Sequence, residues 1–140
     1  MAIASSQQNI ILSDTVVIID YWRKPKPVQT WVFDNSPVAF CGVTRAELYV
    51  GAKSDLEMEK YSQELTALIE LPITHATWGH VGRNLQRLRS KGITLPFSDV
   101  IIATVALEHN AEIWTYDSHF KQMRRALPGI RLFQEPASLP

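Results

Sequence analysis

The chain has 140 residues, of which 46% are hydrophobic and 20% charged, a composition that is typical of a globular protein and excludes a disordered one. Lys plus Arg and Asp plus Glu number 14 each, so the net charge does not indicate a nucleic-acid partner. The single cysteine, Cys41, excludes an internal disulfide and fits a reducing compartment. Neither a secretory signal nor an apolar run approaching the ~18 residues of a membrane span is visible. We therefore expect a soluble, cytoplasmic protein with one domain, residues 1–140, and no membrane partner.

The predicted elements alternate between strands and helices. In chain order, hydrophobic patterns and cap residues predict a strand at 9–13, a helix at 16–23, a loop at 28–37, a strand at 38–41 and helices at 44–51, 54–71, 74–91 and 97–110. A strand at 111–116, a helix at 119–127 and a strand at 130–133 follow. Capping boxes begin at Thr44 and Ser54, and Gly92 is the predicted C-cap of the long helix. The alternation predicts an α/β fold, with a mostly parallel sheet of four or five strands flanked by helices.

Four tryptophans divide into two pairs. Trp78 lies on the apolar side of a predicted helix and Trp114 in a predicted buried strand, so both are expected in the core. Trp22 and Trp31 flank a segment rich in lysine and proline and are the better candidates for a partner groove.

Two acidic residues, Asp14 and Asp117, directly follow predicted strands. The carboxyl ends of parallel strands border the ligand crevice of an open sheet, so these two carboxylates are candidates for one shared site. Each also precedes a predicted helix, where aspartate is a favoured N-cap. For either residue alone, capping and a functional role are equally supported.

Asp99 and Glu47 lie on helices. Asp99 shares an apolar helix face with Ile102 and Ala103, where an ionised carboxylate is unfavourable unless it is paired or bound to a cation. The alternative is an interaction with the helix dipole, worth about 0.3–1 kcal/mol, and the apolar setting favours function. For Glu47 the spacing alone favours a helix cap that reaches back to Thr44.

Carboxylates that converge without a cation repel one another, and a divalent ion removes the repulsion. Mg²⁺ prefers oxygen ligands and is commonly held by a few carboxylates together with substrate phosphate. The four histidines are scattered and Cys41 is alone, so zinc-type ligand spacing is absent from the sequence.

Four segments in order carry a family resemblance: DTVVIID at 14–20, VTRAELYVGA at 43–52, LPFSDVIIA at 95–103 and TYDSHF at 115–120. Over residues 10–133 the chain resembles PIN domains, and most closely the VapC-type toxins of bacterial type II toxin–antitoxin pairs. The resemblance implies a PIN-like α/β/α sandwich and an endoribonuclease that uses one or two Mg²⁺ or Mn²⁺ ions. It implies a catalytic and metal-binding quartet of Asp14, Glu47, Asp99 and Asp117.

The resemblance also implies roles outside the quartet. Thr115 matches a hydroxyl residue that supports the acids or contacts substrate, and Thr15 partly replaces a polar group that relatives have at the position of Val16. His119 stands where relatives often have an acid, which lowers the negative charge of the site. Asp20 matches a variable position and is expected at the surface or at a partner contact rather than at the ion. The implied partners are RNA, a cognate antitoxin and a second copy of the chain in a homodimer.

Basic residues are unevenly distributed. Arg83, Arg87 and Lys91 share one helix face. A second basic cluster follows the last acidic motif: Lys121, Arg124 and Arg125. Either cluster alone is explained by a solvated surface, but the second is the better candidate for RNA phosphate contacts because it is close in sequence to the acids. The alternative to a nuclease is a catalytically weak PIN module that binds RNA or a protein without cleavage, an alternative supported by Val16 and His119.

Overall fold

The structure is a computed structural model, and it describes residues 8–140. Its centre is a sheet of five parallel strands: β1 (Ile11–Ser13), β2 (Val38–Cys41), β3 (Ile69–Leu71), β4 (Glu112–Trp114) and β5 (Arg131–Leu132). The strand order is β3-β2-β1-β4-β5. β1 is central and buried on both faces, which accounts for the apolar residues Ile11 and Leu12 before the buried Ser13. The predicted parallel sheet is confirmed.

Seven helices in the described part of the chain flank the sheet: α1 (Thr15–Arg23), α2 (Pro27–Asn35), α3 (Gly42–Gly51), α4 (Asp55–Leu65), α5 (His75–Ser90), α6 (Phe97–Glu108) and α7 (His119–Met123). The arrangement is the predicted PIN-like α/β/α sandwich. Ser54 caps α4 by accepting a hydrogen bond from the backbone N–H of Glu57, as its sequence position predicts. Gly92 follows α5 with a φ of +72°, the left-handed conformation expected of a helix-ending glycine.

Three local predictions are wrong. The segment at 28–37 is not a loop, because Pro27 occupies the first turn of α2, where its missing N–H is tolerated. The helix predicted at 54–71 ends at Leu65, and the following residues form the edge strand β3. α3 begins at Gly42 rather than at Thr44, which lies buried inside the helix.

The core contains helix α6, whose residues from Val100 to Ala106 are all buried. Trp114 is 1% exposed, as predicted, whereas Trp78 is 50% exposed and the prediction that it belongs to the core is wrong. α5 is amphipathic, but its buried positions are Thr77, Val81 and others on a face that excludes Trp78. Within residues 8–140, no helix combines the length and the apolar character needed to cross a bilayer.

Candidate functional site

The candidate site lies at the carboxyl ends of the two neighbouring strands β1 and β4. Ser13 and Trp114 are register partners, so the residues that follow them, Asp14 and Thr115, leave the sheet side by side. The Thr115 hydroxyl donates a hydrogen bond of 3.0 Å to Oδ2 of Asp14, although the two residues are 101 positions apart in the chain. The same hydroxyl oxygen accepts a hydrogen bond from the backbone N–H of Asp117. Thr115 therefore connects two of the predicted acids.

Asp14 is only 8% exposed and is the N-cap of α1, where its Oδ1 accepts a hydrogen bond from the backbone N–H of Thr15. Burial raises the pKa of the Asp14 carboxyl, and the negative charges of Asp99 and Glu47 raise it further, against the hydrogen bonds from Thr115 and Thr15. Asp14 therefore caps α1 and also lies near other acids. Its role as an N-cap does not exclude a role in the site.

Glu47 extends from α3 towards the start of α1. Its Oε1 accepts a hydrogen bond of 2.7 Å from the hydroxyl of Thr15, which also lies 3.0 Å from the hydroxyl of Thr44. The capping role that spacing favoured for Glu47 is wrong, because α3 begins before Thr44 and has Cys41 as its N-cap. Thr15 instead donates a hydrogen bond to the Glu47 carboxylate.

Asp99, Asp117 and His119 form the tightest part of the site. Each contributes one ligand atom to a group whose members lie within 4.8 Å of one another. Nδ1 of His119 is 2.8 Å from Oδ2 of Asp99 and 3.2 Å from Oδ2 of Asp117. The hydrogen bond with Asp99, together with the charges of both aspartates, raises the pKa of His119. The sequence analysis treated His119 only as a lost acid and did not predict these contacts.

The donor chemistry of the cluster fits a divalent cation. Asp99 and Asp117 offer carboxylate oxygens within 4.8 Å of each other, whereas Asp14 and Glu47 lie outside that group. Burial, and to a smaller extent the charges of Asp99 and Glu47, raise the pKa of Asp14. A cation relieves this repulsion, and oxygen donors suit Mg²⁺ and Mn²⁺. The residues present can therefore hold such an ion.

A family model described as PIN domain matches residues 11–126. The chain belongs to the PIN domain family. No curated protein matches this PIN domain in sequence.

Solved structures of VapBC complexes contain chains with the same fold. The PIN domain is similar to a chain of VapBC2 from Rickettsia felis, bound to a DNA fragment from its promoter, with a TM-score of 0.74, 21% identity and coverage of 91% of this chain and 99% of that one. For DNA-bound VapBC from Salmonella typhimurium the TM-score is 0.75 at 21% identity, covering 90% and 98%. For FitAcB from Neisseria gonorrhoeae it is 0.71 at 22% identity, covering 89% and 96%.

An open cleft of about 960 Å³ extends from the acidic cluster of the PIN domain. Thr115, Tyr116 and Asp117 line the part nearest the acids, and the cations along it are Lys121, Arg124 and Arg131. Arg125 does not line this cleft but shares an adjoining shallow pocket with Lys121 and Arg124. The sequence does not indicate Arg131 as a site residue, because it lies on β5, ten residues after Lys121, and reaches the cleft only through the folding of the sheet.

Two other predicted positions lie outside the acidic cluster. Asp20 is held by Gln29 and Lys26, whose hydrogen bonds lower the pKa of its carboxyl. Val16 stands at the position where the family resemblance implies a polar side chain. Its own side chain is apolar and 59% exposed, so an apolar surface residue lies near Asp14.

Proposed function

We propose that this PIN domain is a Mg²⁺- or Mn²⁺-dependent endoribonuclease and acts in the cytoplasm as the toxin of a toxin–antitoxin pair. The observation that carries the proposal is the convergence of ligand atoms from Asp99, Asp117 and His119 within 4.8 Å of one another, with the Asp14 carboxyl joined to Asp117 through Thr115. Carboxylates that lie close together repel one another, and such a group is typical of a cation site. The family membership and the fold shared with chains of VapBC complexes support the same function.

Asp14, Glu47, Asp99 and Asp117 would hold one or two ions. When bound, such an ion polarises a phosphate and makes a water molecule a better nucleophile near neutral pH. In the proposed hydrolysis, water attacks phosphorus and the bond to the ribose 3′-oxygen breaks, which leaves a 3′-hydroxyl and a 5′-phosphate.

The hydroxyl residues position the acids for this reaction. Thr115 fixes Asp14 relative to the backbone of Asp117, and Thr15 fixes Glu47. Neither threonine reaches the reacting atoms in this scheme. Metal-binding carboxylates are oriented by their hydrogen-bond partners. Loss of such a partner commonly weakens metal affinity about 10–100-fold.

RNA would follow the cleft beside Asp117. Lys121, Arg124 and Arg131 supply positive charge along it, and the rings of Tyr116 and Phe133 also line it. Cations combined with aromatic rings are typical of sites for single-stranded nucleic acid, in which bases stack and phosphates pair. Arg125 adds to the positive charge next to the cleft.

The antitoxin would bind away from the acidic cluster, in a groove beside Trp22. There Trp22 stacks on Tyr61 with 5.8 Å between ring centroids, and Leu56 is 79% exposed at the same groove. Trp31, the second predicted partner residue, is half-buried and packs against the cluster of Val32 and Trp114. The homodimer stays a prediction.

Cleavage of a fluorescent single-stranded RNA tests the nuclease. We expect cleavage with Mn²⁺ or Mg²⁺, none in EDTA, and a loss of at least about 100-fold for Asp99→Asn. The matched control is Asp34→Asn, which changes an exposed aspartate on α2. Expression of the chain in bacteria should arrest growth, and Asp14→Ala should relieve the arrest. Metal-independent cleavage, or full activity of Asp99→Asn, would contradict the proposal.

One observation favours the catalytically weak binding module as a second candidate. Nδ1 of His119 already contacts one oxygen of Asp99 and one oxygen of Asp117. In a nuclease these two oxygens would bind the ion. RNA binding that persists in both metals without any cleavage would support the module.

A further inference from the structure

The imidazole of His119 lies within the acidic cluster rather than beside it. Its Nδ1 contacts one oxygen of Asp99 and one of Asp117. The position is fixed by the backbone, because His119 is the first residue of α7 and its N–H donates to Oδ1 of Asp117 at 2.9 Å. The backbone is thus held at the start of α7, and the imidazole is oriented by its contacts with Asp99 and Asp117.

The spacing of these atoms is that of neighbouring ligands around one ion. Ligand atoms bonded to a divalent cation at about 2.1 Å in octahedral geometry are separated from their nearest neighbours by about 3 Å. Nδ1 of His119 is 2.8 Å and 3.2 Å from the two aspartate oxygens. The side chain of Asp99 is 15% exposed and that of His119 is 35% exposed, so an ion has access from solvent.

We propose that His119 is a ligand of the ion and that it makes the site selective for a first-row transition metal such as Mn²⁺ over Mg²⁺. The inference rests on the proposed function, since it concerns the same site. Imidazole nitrogen is a better ligand for first-row transition ions, among which Mn²⁺ is the weakest binder, than for Mg²⁺, which prefers an all-oxygen set and gives up its waters reluctantly. Replacement of a carboxylate by an imidazole thus changes which ion is preferred, as well as the net charge of the site.

The ligand role would use the nitrogen that faces the two aspartates. Nδ1 of His119 lies at hydrogen-bond distance from one oxygen of Asp99 and one oxygen of Asp117. A bond from this nitrogen to an ion would replace these contacts.

Pulsed electron paramagnetic resonance of bound Mn²⁺ tests this directly, because a coordinated imidazole adds a nitrogen-14 modulation to the signal. The protein should carry no polyhistidine tag. We expect the modulation in the unaltered protein and its loss in His119→Gln and His119→Asp. Calorimetric titration should show that Mn²⁺ binds more tightly than Mg²⁺ and that the ratio of the two affinities is smaller in His119→Asp than in the unaltered protein. His75→Gln, which changes an exposed histidine at the start of α5, is the matched control.

The outcomes separate this inference from the proposed function. Mn²⁺ binding without nitrogen modulation in the unaltered protein overturns the ligand role but leaves the nuclease intact. If the ratio of Mn²⁺ affinity to Mg²⁺ affinity is the same in His119→Asp as in the unaltered protein, the proposed selectivity is wrong. The absence of any Mn²⁺ binding, with thermal melting curves that confirm a folded protein, overturns both proposals.

Discussion

Nε2 of Gln29 donates a hydrogen bond of 2.8 Å to the hydroxyl of Tyr116, 87 positions further along the chain. The same amide donates to Asp20 at 3.0 Å, and the Tyr116 hydroxyl donates to Glu135 at 2.8 Å. Burial and the Glu135 carboxylate raise the pKa of Tyr116 to about 12, so the phenol keeps the proton that it donates. Because Tyr116 directly precedes Asp117, this network connects α2 to the candidate site.

The first prediction concerns the stability that this network supplies. Gln29 is 0% exposed, so replacement by leucine removes the amide donor to the Tyr116 hydroxyl and leaves Asp20 with Lys26 as its remaining side-chain donor. We expect Gln29→Leu to lower the free energy of unfolding by about 1–3 kcal/mol in urea titrations. Gln86→Leu, on an exposed position of α5, should change it by less than about 0.5 kcal/mol. Equal effects of the two substitutions would show that the network does not stabilise the fold.

The second prediction is that Asp14 destabilises the metal-free protein. Its pKa is raised in the folded state from the ordinary value of 3.8, so the folded state binds the proton more tightly than the unfolded one. Stability is therefore lost as the pH rises through the folded pKa, and the ionised carboxylate opposes folding at neutral pH. We expect Asp14→Asn to melt about 2–4 °C higher in EDTA at pH 7, which is about 1 kcal/mol for a chain of this size.

Two comparisons check the cause of that gain. Below the ordinary pKa of aspartate the difference between Asp14→Asn and the unaltered protein should disappear, because both side chains are then neutral. Asp34→Asn, which changes an exposed aspartate, should not raise the melting temperature at either pH. A gain for Asp14→Asn that persists at low pH would assign the effect to packing rather than to charge.

The third prediction assigns RNA affinity to the cleft cations. Lys121→Ala and Arg124→Ala should weaken binding of a single-stranded RNA in EDTA, and each should reduce the dependence of log affinity on log salt by about one. Arg83→Ala and Arg87→Ala, which line a different cavity with His80, are the controls. Fluorescence anisotropy measures both quantities. If the two control substitutions weaken RNA binding more than Lys121→Ala and Arg124→Ala do, the RNA binds to the face of α5 instead.

The fourth prediction concerns the lone cysteine. Cys41 is 0% exposed, and burial raises the pKa of its thiol from 9.0 to about 11. The native thiol should therefore resist a thiol-reactive dye at pH 8 and react when the protein is unfolded. Since the raised pKa means tighter proton binding in the folded state, this contribution to stability is present below pH 9 and is lost towards pH 11. In Cys41→Ala the stability should fall less between pH 9 and pH 11. Rapid labelling of the native protein by the dye would contradict the burial of the thiol.

The sheet could be predicted from sequence because its central strands are short apolar runs with clear ends. β1, β2 and β4 are buried and were predicted within a few residues. β3 was missed because two of its three residues are exposed and it follows a helix without a proline or glycine to separate them. α2 could not be predicted from the prolines, because proline is typical of both helix ends and helix starts, and Pro27 begins a helix.

The acids of the site could be predicted and their contacts could not. Asp14 and Asp117 follow buried strands, and that position is visible in the sequence. The role of Glu47 came from the family resemblance, since spacing favoured a cap. The contact of His119 with Asp99 depends on how α7 packs beside α6, a tertiary relationship that periodicity does not encode. A histidine two residues after a strand-end aspartate, at a helix start, was the available signal.

Oε2 of Glu135 accepts hydrogen bonds from both the Trp114 indole and the Tyr116 hydroxyl, at 3.0 Å and 2.8 Å. This one carboxylate fastens the final segment of the chain to the turn that presents Asp117. Removal of Glu135 would therefore loosen the turn without altering Asp14, Glu47, Asp99 or Asp117. The geometry of the candidate site thus depends on a residue that lies outside it.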